Sequence, residues 1–349
     1  MTSLTETAEY AKKIIKYGVI AVLSIIVLKL AITVIKTVWE YFYPTPPPLP
    51  TVSFGKLPKL QFPETEKPGE LEFSLETPLG GFSDLGTQVK VFKSQPLNPN
   101  LLALERAREE AKEIGFSAEP VQISTKIARW TIKDDLNKTL EMDIYSGAFK
   151  FYYDWQNKLD LTTENSVPSK DQAIELAKNF LQNIKRLNED LEQGRIEAEY
   201  LQLKGTKMLQ APSLSEAELV KVDFFRKDID EMPVLTADPE TGVVSIIVSG
   251  SINPNKKFVS IDFNYFSLDY ENFSTYPVKS SSQAWEELKN GQALIVNPLE
   301  ETKIIIRRVF LAFYDAFEPQ EFLQPVFVFQ GDKDFVAMVP AITDEWLKE

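Results

Sequence analysis

Ser169–Phe180 reads SKDQAIELAKNF, with a serine three residues ahead of a glutamine at the head of an apolar stripe. That spacing is a capping box. The serine hydroxyl accepts the backbone N–H of the third helical residue, and the glutamine side chain accepts the N–H of the serine. Ala173, Ala177, Phe180, Ile184 and Leu187 recur at intervals of three and four, which predicts a helix with one buried face. Strand-forming runs follow at 196–204, 217–228, 232–238, 242–250 and 257–268, so the local order is one helix and then several strands.

The same start recurs further on. Ser280–Gly291, SSSQAWEELKNG, repeats the Ser, Gln, Ala, Glu, Lys and Asn in register, 111 residues later. Capping chemistry accounts for the Ser and the Gln, whereas the Ala-x-Glu-x-x-Lys-Asn continuation points to an internal duplication. This helix would turn Ala284, Trp285 and Leu288 inward and stop at Gly291, with strands at 303–316, 324–330 and 333–341. Toward the N-terminus, Asn98-Pro99 predicts another helix start, with Leu101, Leu104, Ala107, Ala111 and Ile114 as its buried face and Gly115 as its stop. Strands at 121–132 and 138–154 would follow it, and residues 71–95 would add short strands broken by Gly80-Gly81. The fold class expected is α+β, in three units at 71–165, 166–278 and 279–349, each a helix on an antiparallel sheet.

Ahead of these units stands Tyr17–Trp39, YGVIAVLSIIVLKLAITVIKTVW. At about 1.5 Å per residue it reaches across about 30 Å of hydrocarbon. Its thirteen Val, Ile and Leu residues, at roughly −0.3 to −0.6 kcal/mol each, contribute about −6 kcal/mol and outweigh the roughly +3 kcal/mol of a central Lys29. Lys36 lies near the outer end, where it can snorkel. Trp39, Tyr41, Phe42 and Tyr43 form an aromatic belt there. Lys12, Lys13 and Lys16 precede the segment, and no Lys or Arg follows it until Lys56, which places the N-terminus in the cytoplasm and the bulk outside. Bulky aromatics and then PTPPPLP follow in place of a small-residue cleavage site, so an uncleaved anchor is expected. The plan is a cytoplasmic tail at 1–16, a transmembrane anchor at 17–43 and a proline-rich linker at 44–70. Eight prolines there predict a semi-rigid polyproline spacer.

Lys29, Thr33, Lys36 and Glu40 fall on one narrow stripe of this span. Two readings are open: contact with another membrane protein, or a tolerated stripe on a lone anchor.

Composition limits the chemistry. There is no Cys and no His, which excludes thiol catalysis, disulfides, Cys/His zinc sites and Ser-His-Asp triads. Residues 44–349 carry 33 Lys and Arg against 48 Asp and Glu, a surface that phosphate backbones repel, so no nucleic-acid partner is expected. The acid pairs Asp134/Asp135, Glu189/Asp190 and Asp228/Asp230 lie at turns or charged helix ends and read as solvated loop acids. Asp238 with Glu240 lacks the frame of an EF-hand, and Lys204-Gly-Thr-Lys lacks that of a phosphate loop, so no metal, cofactor or catalytic residue is assigned. Asn137-Lys-Thr and Asn272-Phe-Ser are formal glycosylation acceptors. DYENFSTY (269–276) alternates aromatic and polar residues too irregularly for an ordinary strand. Its Tyr270, Phe273 and Tyr276 either form an exposed surface for a partner or fill the core of a small sheet.

Two further stretches carry a family resemblance. Leu140–Phe151, LEMDIYSGAFKF, and Leu235–Ile246, LTADPETGVVSI, each read as strand, Asp-x-x-x-Gly turn, strand, with Gly147 and Gly242 supplying positive φ. A capped helix, strands and such a hairpin together resemble the PepSY domain, a small extracytoplasmic α+β module. QAWEELKNGQALI (283–295), RRVFLAFYDAF (307–317) and FLQPVFVFQG (322–331) resemble the YycH- and YycI-type membrane-anchored regulators of the WalK sensor kinase. The resemblance implies a non-enzymatic extracytoplasmic module that binds or restrains another cell-envelope protein, such as a sensor kinase or a peptidase. The rivals are a self-associating structural envelope component and a hydrolase in which two acids converge in a pocket.

Overall fold

The computed structural model describes residues 4–42, 48–63, 71–78, 80–82, 84–95, 99–133, 137–153, 155, 167–296 and 302–348, with the side chains of the first helix described over 16–39. The chain divides into Met1–Leu49 and Pro50–Glu349. In the first part, helix α1 (Leu4–Phe42) contains the apolar run. Its stretch Lys16–Trp39 has 24 residues, a mean hydropathy of 2.7 and no buried side chain. That is long and apolar enough to cross a bilayer and is compatible with a membrane anchor.

The second part is α+β. Its helices are α2 (Ala103–Glu113), α3 (Lys170–Asn183), α4 (Glu189–Glu192) and α5 (Ser281–Lys289). Its first strands are β1 (Glu72–Leu75), β2 (Gln88–Ser94), β3 (Val121–Gln122), β4 (Ile127–Ile132), β5 (Lys138–Asp143) and β6 (Phe149–Tyr153). The middle group is β7 (Ile196–Lys204), β8 (Lys207–Gln210), β9 (Leu219–Phe224), β10 (Val234–Leu235), β11 (Val244–Ser249) and β12 (Phe258–Phe263). The last are β13 (Leu268–Pro277), β14 (Leu294–Ile295), β15 (Lys303–Tyr314), β16 (Phe322–Gly331) and β17 (Val336–Pro340).

A nine-stranded antiparallel sheet runs β3-β4-β5-β6-β12-β11-β9-β7-β8. Its two halves mirror each other. Each follows a helix. The first is built inward from the edge strand β3, and the second starts one strand in from the edge at β7; the last strands of the two, β6 and β12, pair across the middle. α2 and α3 pack into one core with this sheet through small residues, Ala103, Ala107 and Ala111 on α2 and Ala173 and Ala177 on α3, which let backbones approach closely. The boxes of Ser169–Gln172 and Ser280–Gln283 form as the sequence predicts, each with both reciprocal hydrogen bonds. The start of α2 differs. Leu102 is its N-cap, without a side-chain cap bond, because Asn100 turns the chain by accepting the Leu102 N–H. Leu101 therefore precedes the helix and is fully exposed.

An eight-stranded sheet runs β1-β15-β16-β17-β14, with β10 parallel to β15 and β2 bridging β16 and β13. Hydrogen bonding therefore divides the chain along other lines than 71–165, 166–278 and 279–349. β1 and β2 join strands from the far end of the chain, while β3–β6 share a sheet with β7–β12 except β10.

Three expectations are corrected here. Residues 50–62 of the expected spacer 44–70 belong to the folded part, while 43–47 and 64–70 lie outside the described residues. Leu57 is fully buried, bridging in parallel to Leu347, and Phe62 meets Tyr314 edge-on at 5.0 Å on the opposite face of the sheet from α5. The apolar residues spaced between the prolines drive this docking. Second, Leu235–Ile246 is not a hairpin. β10 pairs with β15 in one sheet and β11 with β9 and β12 in the other, so Asp238–Gly242 is the crossover between sheets. Gly242 has no positive φ, and it is glycine because a Cβ would stand 2.4 Å from the Phe224 carbonyl oxygen. Gly147 does take φ +74°, in the true β5–β6 hairpin. Third, residues 268–277 form strand β13, whose irregular pattern comes from a bulge between Asp269 and Phe273.

Candidate functional site

On α1, Lys29, Thr33 and Lys36 are exposed and lie within about 60° of arc around the helix. The side chain of Glu40 lies outside the described residues. Thr33 Oγ1 donates to the Lys29 carbonyl at 2.9 Å, and Thr37 Oγ1 to that of Thr33 at 3.0 Å. These hydroxyls are satisfied within the helix, so the polarity of the stripe rests on the two ammonium groups.

The three aromatic candidates separate. Tyr276 is fully buried and donates its hydroxyl to the Gly55 carbonyl at 2.9 Å, holding the 50–62 segment. Tyr270 is half-buried and donates to Asp190 at 2.8 Å. Phe273 alone of the three is at the surface, 43% exposed, with Lys90 Nζ 4.5 Å above its ring. Tyr270, Phe273 and Tyr276 therefore do not form one exposed patch, because Tyr276 is buried and Tyr270 is turned onto the buried Asp190.

Between the sheets lies a buried polar centre built on Arg226, whose side chain has no exposed area. Its Nε donates to Asp315 Oδ2 at 2.9 Å, Nη1 to Asp190, and Nη2 to the Phe266 carbonyl at 2.8 Å. Tyr265, stacked under the guanidinium at 4.5 Å, also donates to Asp190, at 2.9 Å. Arg226 follows β9 and Tyr265 follows β12 of the nine-stranded sheet; Tyr270 is in β13 and Asp315 follows β15 of the other. The centre thus ties the two sheets together. Asp190, read from sequence as a solvated acid, is buried here, because the turn of α4 points it inward onto a guanidinium. Its neighbour Glu189 is exposed, as are Asp228 and Asp230; Asp134 and Asp135 lie outside the described residues.

Asp190 and Asp315 are two acids converging from separate elements, the geometry a carboxylate hydrolase requires. Both, however, are engaged by one guanidinium, and the void that Asp315 lines has a volume of about 10 Å³, room for about one water. The arrangement can brace; it offers no space for a substrate. Arg226 and Asp315 left one trace in the sequence. Asp315 is a single charge inside an aromatic run, FYDAF at 313–317, whereas Arg226 closes an aromatic pair amid other charges, DFFRKD at 223–228.

The other candidates serve turns. Asp238 accepts the Glu240 N–H and the Thr241 hydroxyl, capping the crossover. Lys204–Lys207 is the β7–β8 hairpin, with Gly205 at φ +64°. Asn137 and Asn272 are exposed. Among the described residues no three acidic side chains gather closely enough to hold a metal ion.

Burial works against the Arg226 charge, but Asp315 and Asp190 more than reverse it and hold the pKa well above its ordinary value. Burial pushes the Asp315 carboxyl up from its ordinary range; Arg226 draws it partly back, and Asp190 pushes it further up. On the sheet face opposite α3, burial likewise raises Asp223, with Lys221 at 3.0 Å opposing it. Both acids keep their protons to higher pH in the folded state than in the unfolded one. Their contribution to stability is complete below the unfolded pKa of about 3.9 and is lost as pH rises through the folded values. Urea denaturation should therefore show stability falling as pH rises from about 4 through the raised folded-state values, and Asp315→Asn should make that slope shallower. An unchanged slope would contradict the burial of Asp315.

What these features define is an α+β protein with an N-terminal helix compatible with a membrane anchor. No protein-family model matches the chain, and no curated protein matches it. Among solved structures it is similar to an uncharacterized protein from Eubacterium rectale ATCC 33656, at 14% identity and a TM-score of 0.33, over 72% of this chain and 82% of that one.

Proposed function

We propose that this is a single-pass membrane protein, N-terminus in the cytoplasm and Pro50–Glu349 outside, that binds and restrains another protein of the cell envelope without catalysis. The observation that carries the reading is Lys29. It is a cation near the middle of a stretch apolar enough to span a bilayer, and among the described residues it meets no carboxylate of its own chain. An ammonium at that depth costs roughly 3 kcal/mol and is favoured where a partner helix supplies an acid or a carbonyl. The mirrored halves of the nine-stranded sheet support tandem PepSY-like units as the extracytoplasmic binding module. The engagement of Asp190 and Asp315 by Arg226 supports the non-enzymatic reading.

Affinity capture from cross-linked membranes tests it. The wild type should retain a membrane-protein partner that the Lys29→Leu/Lys36→Leu variant loses, with both variants equally membrane-bound. An unchanged partner set would remove the stripe from the mechanism, and a C-terminal tag shielded from external protease would remove the topology.

A further inference from the structure

Val52 takes φ +40°. A β-branched residue at positive φ is an outlier that persists only where its surroundings hold it. Here the hold is made mostly of hydroxyls. Of the four N–H groups from Thr51 to Phe54, one donates to a main-chain carbonyl, Val52 to Thr275 at 3.0 Å. The Thr51 N–H donates to Thr275 Oγ1 at 2.9 Å, that of Ser53 to Ser274 Oγ at 2.7 Å and that of Phe54 to Tyr276 Oη at 3.1 Å. The segment thus lies along β13 without joining its ladder. Further on, Leu57 is fully buried, but its main-chain bonds form an isolated bridge, from its N–H to the Trp346 carbonyl and from the Lys348 N–H to its carbonyl, both at 2.8 Å. Residues 50–62 therefore lack the continuous main-chain bonding that makes each sheet cooperative, and local opening is drawn from such segments.

We propose that residues 50–62 are a latch that opens as a unit while both sheets stay folded, turning docked chain into tether. Burial of Leu57, with Phe54 and Phe62 against rings of the folded part, keeps the latch closed at rest. The strained turn and its hydroxyl bonds set the end that opens first. That end is next to Pro50, and seven residues, 43–49, join it to the end of α1. Once open, 50–62 adds at most about 45 Å of extended chain to the connection that precedes β1. The role rests on the anchored-partner reading, in which a longer tether lets the module engage a partner farther from the span.

Hydrogen exchange read by mass spectrometry on the full chain in lipid nanodiscs tests the latch. Peptides from 50–62 should exchange on the order of a hundredfold faster than peptides from β16. Ser274→Ala, which strands the Ser53 N–H, should speed exchange in 50–62 about tenfold more and leave β16 unchanged. The chain has no cysteine, so a Leu57→Cys/Leu347→Cys pair can form one disulfide across the isolated bridge. With that bond confirmed by mass, exchange in 50–62 should slow toward that of β16, and dithiothreitol should restore it. Exchange in wild-type 50–62 no faster than in β16 would overturn the proposal, because the segment would then open only with the whole fold. Equal acceleration of both regions by Ser274→Ala, or no slowing by the disulfide, would do the same. Exchange is read whichever side of the bilayer the folded part occupies, so this result and the protease test of topology can fail separately.

Discussion

Replacing Arg226 with methionine should destabilise Pro50–Glu349 by about 3–5 kcal/mol, among the largest single-residue effects expected in this protein. The side chain is wholly buried and donates to Asp315, Asp190 and the Phe266 carbonyl, so its loss strands two carboxylates and an acceptor away from water. Removing one partner of a buried pair costs more than the pair contributes, because the desolvated charge left behind has nowhere to go. Two neighbours soften the loss, since Tyr265 and Tyr270 still donate to Asp190. Asp315 has no such support from them. The Arg226→Met/Asp315→Asn double variant should therefore be less destabilised than the two single effects summed, by more than about 0.5 kcal/mol. Equilibrium urea unfolding followed by circular dichroism measures both. A loss below about 1 kcal/mol for Arg226→Met would mean the centre behaves like a surface ion pair, and the bracing role would fail.

The same geometry explains why the sheets belong to one folded part although no strand is shared between them. A net excess of one carboxylate over cations sits where β9, β12, β13 and β15 end, and burial offsets it by raising the pKa of Asp315. Proton uptake therefore favours the junction rather than loosening it. With a net charge of −15, residues 44–349 gain a second benefit from acid, since protonation also relieves self-repulsion.

Local chemistry was legible in the sequence where it involved neighbours in the chain. Ser169–Gln172 and Ser280–Gln283 cap their helices, Gly115 and Gly291 end theirs with positive φ, and Asp143–Gly147 makes the hairpin expected of it. What failed was pairing over long separations. Glu72–Leu75 lies beside Lys303–Ile306, which no periodicity within either segment can indicate. The 50–62 segment was masked by its neighbouring prolines, although Val52, Phe54, Leu57, Leu60 and Phe62 punctuate it like a strap with one side to bury. The two Asp-x-x-x-Gly stretches look alike because one short motif serves a hairpin in one place and a crossover between sheets in the other. The Arg226 centre was hidden for the same reason as the pairings. Its members come from residues 190, 226, 265, 270 and 315, and a solvated charge and a buried one share the same letter.

Gly194→Ala should cost about 3 kcal/mol or more, as much as a poorly tolerated overpacking in a core, although only one methyl is added at a half-buried turn. The added Cβ would lie 1.9 Å from the Phe225 carbonyl oxygen and 2.9 Å from the Lys227 nitrogen, both backbone atoms that no rotamer change can move. Those atoms are clamped. The Phe225 N–H donates to the Arg195 carbonyl and the Lys227 N–H to that of Asp190, each at 2.9 Å. To admit the methyl, either the α4 turn lifts or residues 225–227 retreat, and both movements pull Asp190 away from Arg226. Gly205→Ala is the contrast: φ is +64°, but its Cβ meets nothing within 4 Å, so only the left-handed backbone term of about 1–2 kcal/mol applies. In an Arg226→Met background, where the contact to Asp190 is already gone, Gly194→Ala should lose part of its effect, because one displacement cannot break the same bond twice. If Gly194→Ala proves as mild as Gly205→Ala, the close approach that seats α4 against the Arg226 strand is not what positions the buried centre.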